Sequence, residues 1–472
     1  MGTWKSLTNQ PGFGASTMLL LTDGTVMCHD GGSPHWHKLT PDDHGHYING
    51  TWSALADGPN APLYFASAVL KDGRVFVAGG EYDDGLNWDL LAVQVYNPAS
   101  DIWSIGAVPP GWTNIGDAPC CMLPDGRLLL GSIGTNKTAI YDPDHNSWAP
   151  AADKNNASSS EETWTLLPDQ SILSADCLGH PGAQKYIIPA NQWIQIGQTP
   201  SDLVEASSIE IGPAILLPDG RVFAIGATGH TALYTMPTIA NQAGAWLSGP
   251  DFPPQAGSTV GAKDAPACLL PNGKVLCVAG PVSGIGGEYL APMYFFEFDP
   301  GPGAFAQIAD PPSNGNNLPP FVGRFLPLPT GDVLFANGTG NISLYEPGGG
   351  PDPVWRPTIT TIHDKNGNPV NTLAANASFT LFGRQLNGLS QAASYGDDAQ
   401  MATNYPLISI RNNASKHVVY CRTQGHSTMG VATGSVLHST HFAVPPVTDA
   451  GASELRVIAN GIASSPVPVT IT

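Results

Sequence analysis

Seven positions recur nine residues ahead of a tight turn in a repeated unit: Ala15, Tyr64, Asp117, Glu161, Ile211, Asp264 and Val322. Three of them are acidic, Glu210 stands one place before Ile211, and Glu162 one place after Glu161. In a chain with only 12% charged residues, five carboxylates at near-equivalent positions are not background. Carboxylates crowded together must hold a cation, take up protons, or stay wide apart in water. A divalent ion such as Ca²⁺ would take their oxygens, a transition metal would want imidazole as well, and a protonated carboxyl could serve as a general acid. The plain alternative is a water-filled channel whose acidic residues bond neighbouring backbone amides.

Two sets follow. The acid–base set is Asp117, Glu161, Glu210 and Asp264, with Tyr64 and His426 as neutral donors; the metal set is Asp117, Glu161, Glu162, Asp264 and His230. His180 and His230 each sit in a Gly-His loop, and HDGGSPHWHKLTPDDHGHY places His35, His37, His44 and His46 in what reads as one loop, able to bind metal adventitiously. Trp36, Trp88, Trp112 and Trp164, with Tyr64, fall in segments expected on the same face, where aromatic rings suit a sugar or an apolar ligand.

The elements that position these residues are hairpins. Copies such as VLKDGRVFVAGG at Val69, MLPDGRLLLGS at Met122 and LLPNGKVLCVAG at Leu269 occur seven times between Leu20 and Gly338. Asp-Gly or Asn-Gly supplies the positive φ that a two-residue turn needs, although the fourth copy carries Gln170 there. Turn-to-turn steps of 49, 53, 44, 50, 53 and 58 residues are the period of a β-propeller. Trp52, Trp103, Trp148, Trp193, Trp246, Phe305 and Trp355 read as one large aromatic per blade, and Thr3–Leu7 as a spare strand completing the last blade. If each Asp-Gly turn lies on the bottom face, the longer loops and the acidic positions share the top, around the axis.

This repeat resembles the kelch repeat, over about the first three quarters of the chain. From Thr358 the turn signal stops, and runs such as SFTLFG, LISIR, HVVYCR and ELRVIA come at sandwich spacing. The expected fold is all-β: a seven-bladed kelch-type propeller over residues 1–355, then a small Ig-like β-sandwich over 356–472. That layout resembles galactose oxidase and its copper-radical relatives. The resemblance implies that Tyr64 matches their crosslinked tyrosine and that His426, in CRTQGHSTMG, is a copper ligand brought to the top by a hairpin. It also requires a cysteine where Ala15, Ser16 and Thr17 stand and a Tyr-His pair where Phe321 and Val322 stand, so copper-radical chemistry is expected to be absent. IGDAP, EETWTLLPD and STMGVATG are similar to a broad group of bacterial kelch-repeat proteins, which adds fold but not activity.

Composition narrows the partners. A net charge of −19 disfavours nucleic acid and anionic membrane. The seven cysteines fall mostly in expected strands, as small buried thiols. Sequons at Asn49, Asn136, Asn156, Asn337, Asn341, Asn376 and Asn413 suggest an extracellular or periplasmic protein, with a cytoplasmic one as the alternative. The sequence therefore reads as a monomeric propeller binding a carbohydrate or cationic small molecule, with a bound divalent ion, or else as a hydrolase, lyase or isomerase using the same mouth.

Overall fold

The computed structural model describes residues 2–472 except 84–86, 156, 284–287, 314 and 395–400. The sequon at Asn156 lies outside the described residues. Seven antiparallel four-strand units are arranged as the blades of a propeller. The innermost strands are Ala15–Leu20, Ala66–Val69, Cys120–Met122, Trp164–Leu166, Ala214–Leu216, Ala267–Leu269 and Arg324–Pro327. Nearly every residue of these strands is buried, because neighbouring blades pack on both faces of each.

The seven turns carry one positive φ each, at Gly24, Gly73, Gly126, Gln170, Gly220, Gly273 and Gly331. The loops hold three residues rather than two: Leu70 N–H bonds Arg74 O, and Gly73 N–H returns to Leu70 O. That is a type I turn closed by a left-handed residue, which needs one glycine where the two-residue turn needs two unusual residues. In six of the seven turns the preceding Asp or Asn accepts the N–H two residues on, as in Asp72–Arg74 and Asn272–Lys274 at 3.0 Å. Gln170 holds φ +61° without being glycine. Gln170→Gly is therefore expected to raise stability by about 0.5–1 kcal/mol in urea unfolding; a loss of stability would show that this turn is not strained.

The outermost strands carry the wedge aromatics. Trp103, Trp148, Trp193 and Trp246 pair across the ladder with Tyr96, Tyr141, Tyr186 and Tyr234, and Phe305 with Phe298. In blade seven the partner of Tyr345 is Trp4, not Trp355, because Thr3–Ser6 supplies the fourth strand. Trp355 sits in the turn Pro353–Trp355 and packs on the Gly273 turn of blade six. Pairing the first strand with Ser343–Glu346 completes the fourth strand of blade seven and so closes the ring with the two ends of the propeller.

After that turn the chain forms one curled sheet of nine strands with its own apolar core, including Leu381, Ile408, Cys421 and Val457. It meets the propeller on the turn face: Gly425 N–H bonds Lys71 O, Met429 N–H bonds Pro124 O, and Thr423 N–H bonds Thr22 O. A separate excursion enters the axis from this side. Ala393 and Ser394 pair with Cys268 and Ala267 on the innermost strand of blade six, and the Gln391 side chain accepts from Leu166 N–H. All seven cysteines are buried thiols outside any disulfide. Among the described residues no helix is long and apolar enough to cross a membrane. Of the described sequons, Asn337 is buried and donates to Gly315 O, so it is no acceptor for glycan, whereas Asn49, Asn341, Asn376 and Asn413 are exposed.

Candidate functional site

A pocket of about 330 Å³ opens on the face opposite the turns. Five carboxylates line it: Asp117, Glu161, Glu210 and Asp264, with Glu81 from blade two. Each of the first four stands three or four residues before an innermost strand, so the blade repeat itself brings them to the axis. Glu161, Glu210 and Asp264 offer oxygens that all lie within 4.8 Å of one another. Two mouth residues, Tyr64 (φ +53°) and Asp264 (φ +46°), hold left-handed backbone without being glycine, a cost tolerated most often at functional positions.

Burial comes first in the electrostatics. It pushes the Glu161 carboxyl up to about 9, and the charges of Asp264, Asp117 and Glu81 add to the rise. Glu210 also rises to about 9, through burial and then through its contact with Glu161. Glu210 Oε1 accepts from the Tyr289 hydroxyl at 2.5 Å, and the same hydroxyl lies 3.1 Å from Asp264 Oδ2. Glu210 Oε2 is buried without a donor, and a proton shared with a neighbouring carboxyl would satisfy it. Tyr289 is held in turn by the Lys263 ammonium, 4.0 Å from its ring centroid, and Lys263 lies 3.6 Å from Glu205.

A pH dependence follows, with its sign fixed by the direction of the shift. Both carboxyls titrate above their ordinary 4.5 in the folded chain, so the fold binds protons that the unfolded chain has released between pH 4.5 and about 9. Stability of the cation-free protein is expected to fall as pH rises through that window, and Glu161→Gln/Glu210→Gln should flatten the fall. Thermal melts in chelator at pH 5, 7 and 9 check this; equal slopes in parent and variant would refute it.

Several expected members lie elsewhere. Glu162 is not at the mouth: the chain bends at Glu161, where Glu162 N–H bonds Ser160 O, and Glu162 is buried in blade four against Lys154 and the Trp164 indole N–H, which donates at 3.0 Å. His426 is not on the top face. The hairpin carrying it docks on the turns of blades two and three; its Nδ1 meets Thr440 Oγ1 at 2.9 Å, and burial depresses its pKa to about 3. His230 does not line the pocket and pairs with Asp251 at 2.9 Å on the exposed rim, as His180 pairs with Asp202. The histidine-rich stretch is divided between faces: His35 is in the top loop, His37 is in the strand Trp36–Thr40, and His44 and His46 lie in the bottom loop that meets the terminal sheet. Trp36 and Trp164 are core residues, packed on Trp103 and Trp193, whereas Trp88 is 69% exposed.

Three mouth residues escaped the repeat pattern. Glu81, Tyr82 and Tyr289 come from loops after the second strand of blades two and six, where no periodicity constrains position. Only the density of Glu, Tyr and Asp in EYDDGLNWD could have pointed to the first two.

No protein-family model matches the chain. A stretch of 125 residues, 26% of the chain, is 32% identical to Kelch-like protein terF of Aspergillus terreus (strain NIH 2624 / FGSC A1156), and the match spans about a quarter of that protein's length. Over the whole chain and 99% of its counterpart, the fold is similar to a fungal alcohol oxidase of the AA5 family solved with copper (TM-score 0.57, 15% identity). Over 74% of the chain it is similar to virginiamycin B lyase from Staphylococcus aureus (TM-score 0.51, 11% identity, 99% of that chain). At such identities the likeness is one of fold. The fold class is therefore an all-β seven-bladed propeller followed by a curled β-sheet.

Proposed function

We propose that this chain is a ligand-binding propeller whose axial mouth holds a divalent cation between Glu161, Glu210 and Asp264. The observation that carries the reading is Glu210 Oε2, buried and without a donor, beside two further carboxylates within 4.8 Å. A cation is the partner that would satisfy all three. The donor set is carboxylate oxygen with a tyrosine hydroxyl nearby and, among the described residues, no imidazole or thiol lining the pocket, which suits Ca²⁺, Mg²⁺ or Mn²⁺ better than copper. The same mouth is roomy enough for a small organic ligand, a carbohydrate or a cationic molecule.

The test is calorimetric titration of chelator-stripped protein with Ca²⁺ and Mn²⁺, alongside element analysis of protein purified without chelator. One site per chain supports the reading, and no uptake of either ion overturns it. Affinity should rise about tenfold per pH unit below pH 9 for each proton displaced from Glu161 or Glu210.

A second reading uses the same geometry. With their pKa values near 9, Glu161 and Glu210 would be protonated at neutral pH and able to act as general acids for a hydrolase, lyase or isomerase. Turnover lost in Glu210→Gln but retained in chelator would favour it over the ion. The division at residue 355 and the Ig-like character of the terminal sheet belong to the same proposal, supported by the change from four-stranded blades to a single nine-stranded sheet.

A further inference from the structure

The mouth is about 330 Å³, roughly ten times the ~30 Å³ that a water molecule occupies in the liquid, so an ion alone does not fill it. Its wall has an unusual composition. Among the described residues, every one lining it apart from Leu63 is a carboxylate or an aromatic, and the aromatics are Tyr64, Tyr82, Tyr289 and Phe321. Tyr64 lies 6.3 Å from both Tyr82 and Phe321 by ring centroid, and Phe321 lies 4.8 Å from Tyr289, so the rings form a continuous wall. Tyr82 continues it outwards to the exposed Trp88, 4.7 Å away.

If Glu161, Glu210 and Asp264 take an ion, Glu81 and Asp117 remain as acidic groups beside these rings. A neutral sugar brings no positive charge to these carboxylates, and a second metal ion makes no use of the rings of Tyr64, Tyr82 and Phe321. An ammonium group answers both features, since its charge faces the carboxylates while its polarised C–H or N–H bonds lie against aromatic faces. The protein already makes this pairing next door: Lys263 lines the adjoining crevice, not the mouth, and sets its ammonium on Tyr289 and near Glu205.

We propose that the organic ligand of the mouth carries an ammonium group, bare or methylated, seated among Tyr64, Tyr82 and Phe321 against Glu81 and Asp117, with the apolar body of the ligand running towards Trp88. This rests on the mouth being a ligand site and assigns the ligand class within it. The test titrates the Ca²⁺-loaded full chain with choline and with 3,3-dimethylbutan-1-ol, its neutral carbon isostere. Choline is expected to bind at least tenfold more tightly than the isostere, and both Tyr82→Leu and Asp117→Asn should weaken choline at least tenfold. Tyr82→Leu should keep Ca²⁺ affinity within threefold, which also reports that the variant is folded. Equal binding of the two probes, or Ca²⁺ uptake with no choline binding, overturns the ammonium subsite alone. Choline binding without Ca²⁺ uptake overturns the metal reading and leaves the subsite standing.

Discussion

Glu210→Gln is expected to weaken Mn²⁺ binding on the order of 100-fold, about 2.7 kcal/mol, with little loss of fold stability. The substitution keeps the shape of the side chain and removes one of three anionic ligands that lie within 4.8 Å of each other. It also replaces the oxygen that now lacks a donor by a group able to donate to Glu161 or Asp264. The empty protein should become slightly more stable at pH 8, because a carboxyl whose ionisation the fold disfavours has gone. Asp117→Asn, outside the trio, should cost about tenfold or less. Calorimetry or Mn²⁺ paramagnetic resonance on the three proteins decides it; unchanged affinity in Glu210→Gln would remove the ion from this mouth.

The largest effect on stability is expected at Lys154. Its ammonium is completely buried in blade four, bonded to Glu162 and 2.9 Å from Asp176, with Ser174 Oγ at 3.5 Å. Burial by itself would depress the Lys154 pKa, but Glu162 and Asp176 hold it above its ordinary value, so the ion stays charged. Lys154→Ala leaves two carboxylates buried with no counter-ion, and an uncompensated buried charge costs about 3–5 kcal/mol. The exposed pair Lys137–Asp153, at 2.7 Å, provides the contrast: Lys137→Ala should change stability by less than about 1 kcal/mol. Urea unfolding at pH 7 measures both, and a Lys154 variant as stable as the Lys137 variant would refute the argument. Because Glu161 and Glu162 are adjacent, this buried cluster also fixes the bend ahead of the strand Trp164–Leu166 that presents Glu161, so the Lys154 variant should lose ion affinity along with stability.

Much of this was legible in the repeat. The Asp-Gly turns marked the hairpins, their spacing marked the blades, and position within the unit brought Asp117, Glu161, Glu210 and Asp264 to one mouth. Position alone failed where the chain bends. Glu161 and Glu162 are neighbours in sequence, yet one lines the mouth and the other joins an interior ion cluster, because the segment turns at Glu161, with Glu162 N–H bonded to Ser160 O, before the strand Trp164–Leu166 begins. It failed again for His426, whose hairpin looked suited to reach the top but is held on the turn face by backbone bonds to Lys71 and Pro124. Trp355 lost its place to Trp4 because ring closure pairs the two ends of the propeller, a contact 341 residues apart that no local pattern encodes.

The amino-acid order determined, without any coordinates, the seven hairpin units, the terminal β region and the carboxylates at the blade entrances, since turn chemistry and side-chain alternation are local properties of the chain. Which of those acids meet, that Tyr289 bridges Glu210 and Asp264, that rings rather than imidazoles complete the wall, and which face the terminal sheet covers were decided only by closure of the ring. Those contacts join residues from different blades and loops of irregular length, so their geometry is set by packing between blades rather than by any spacing along the sequence.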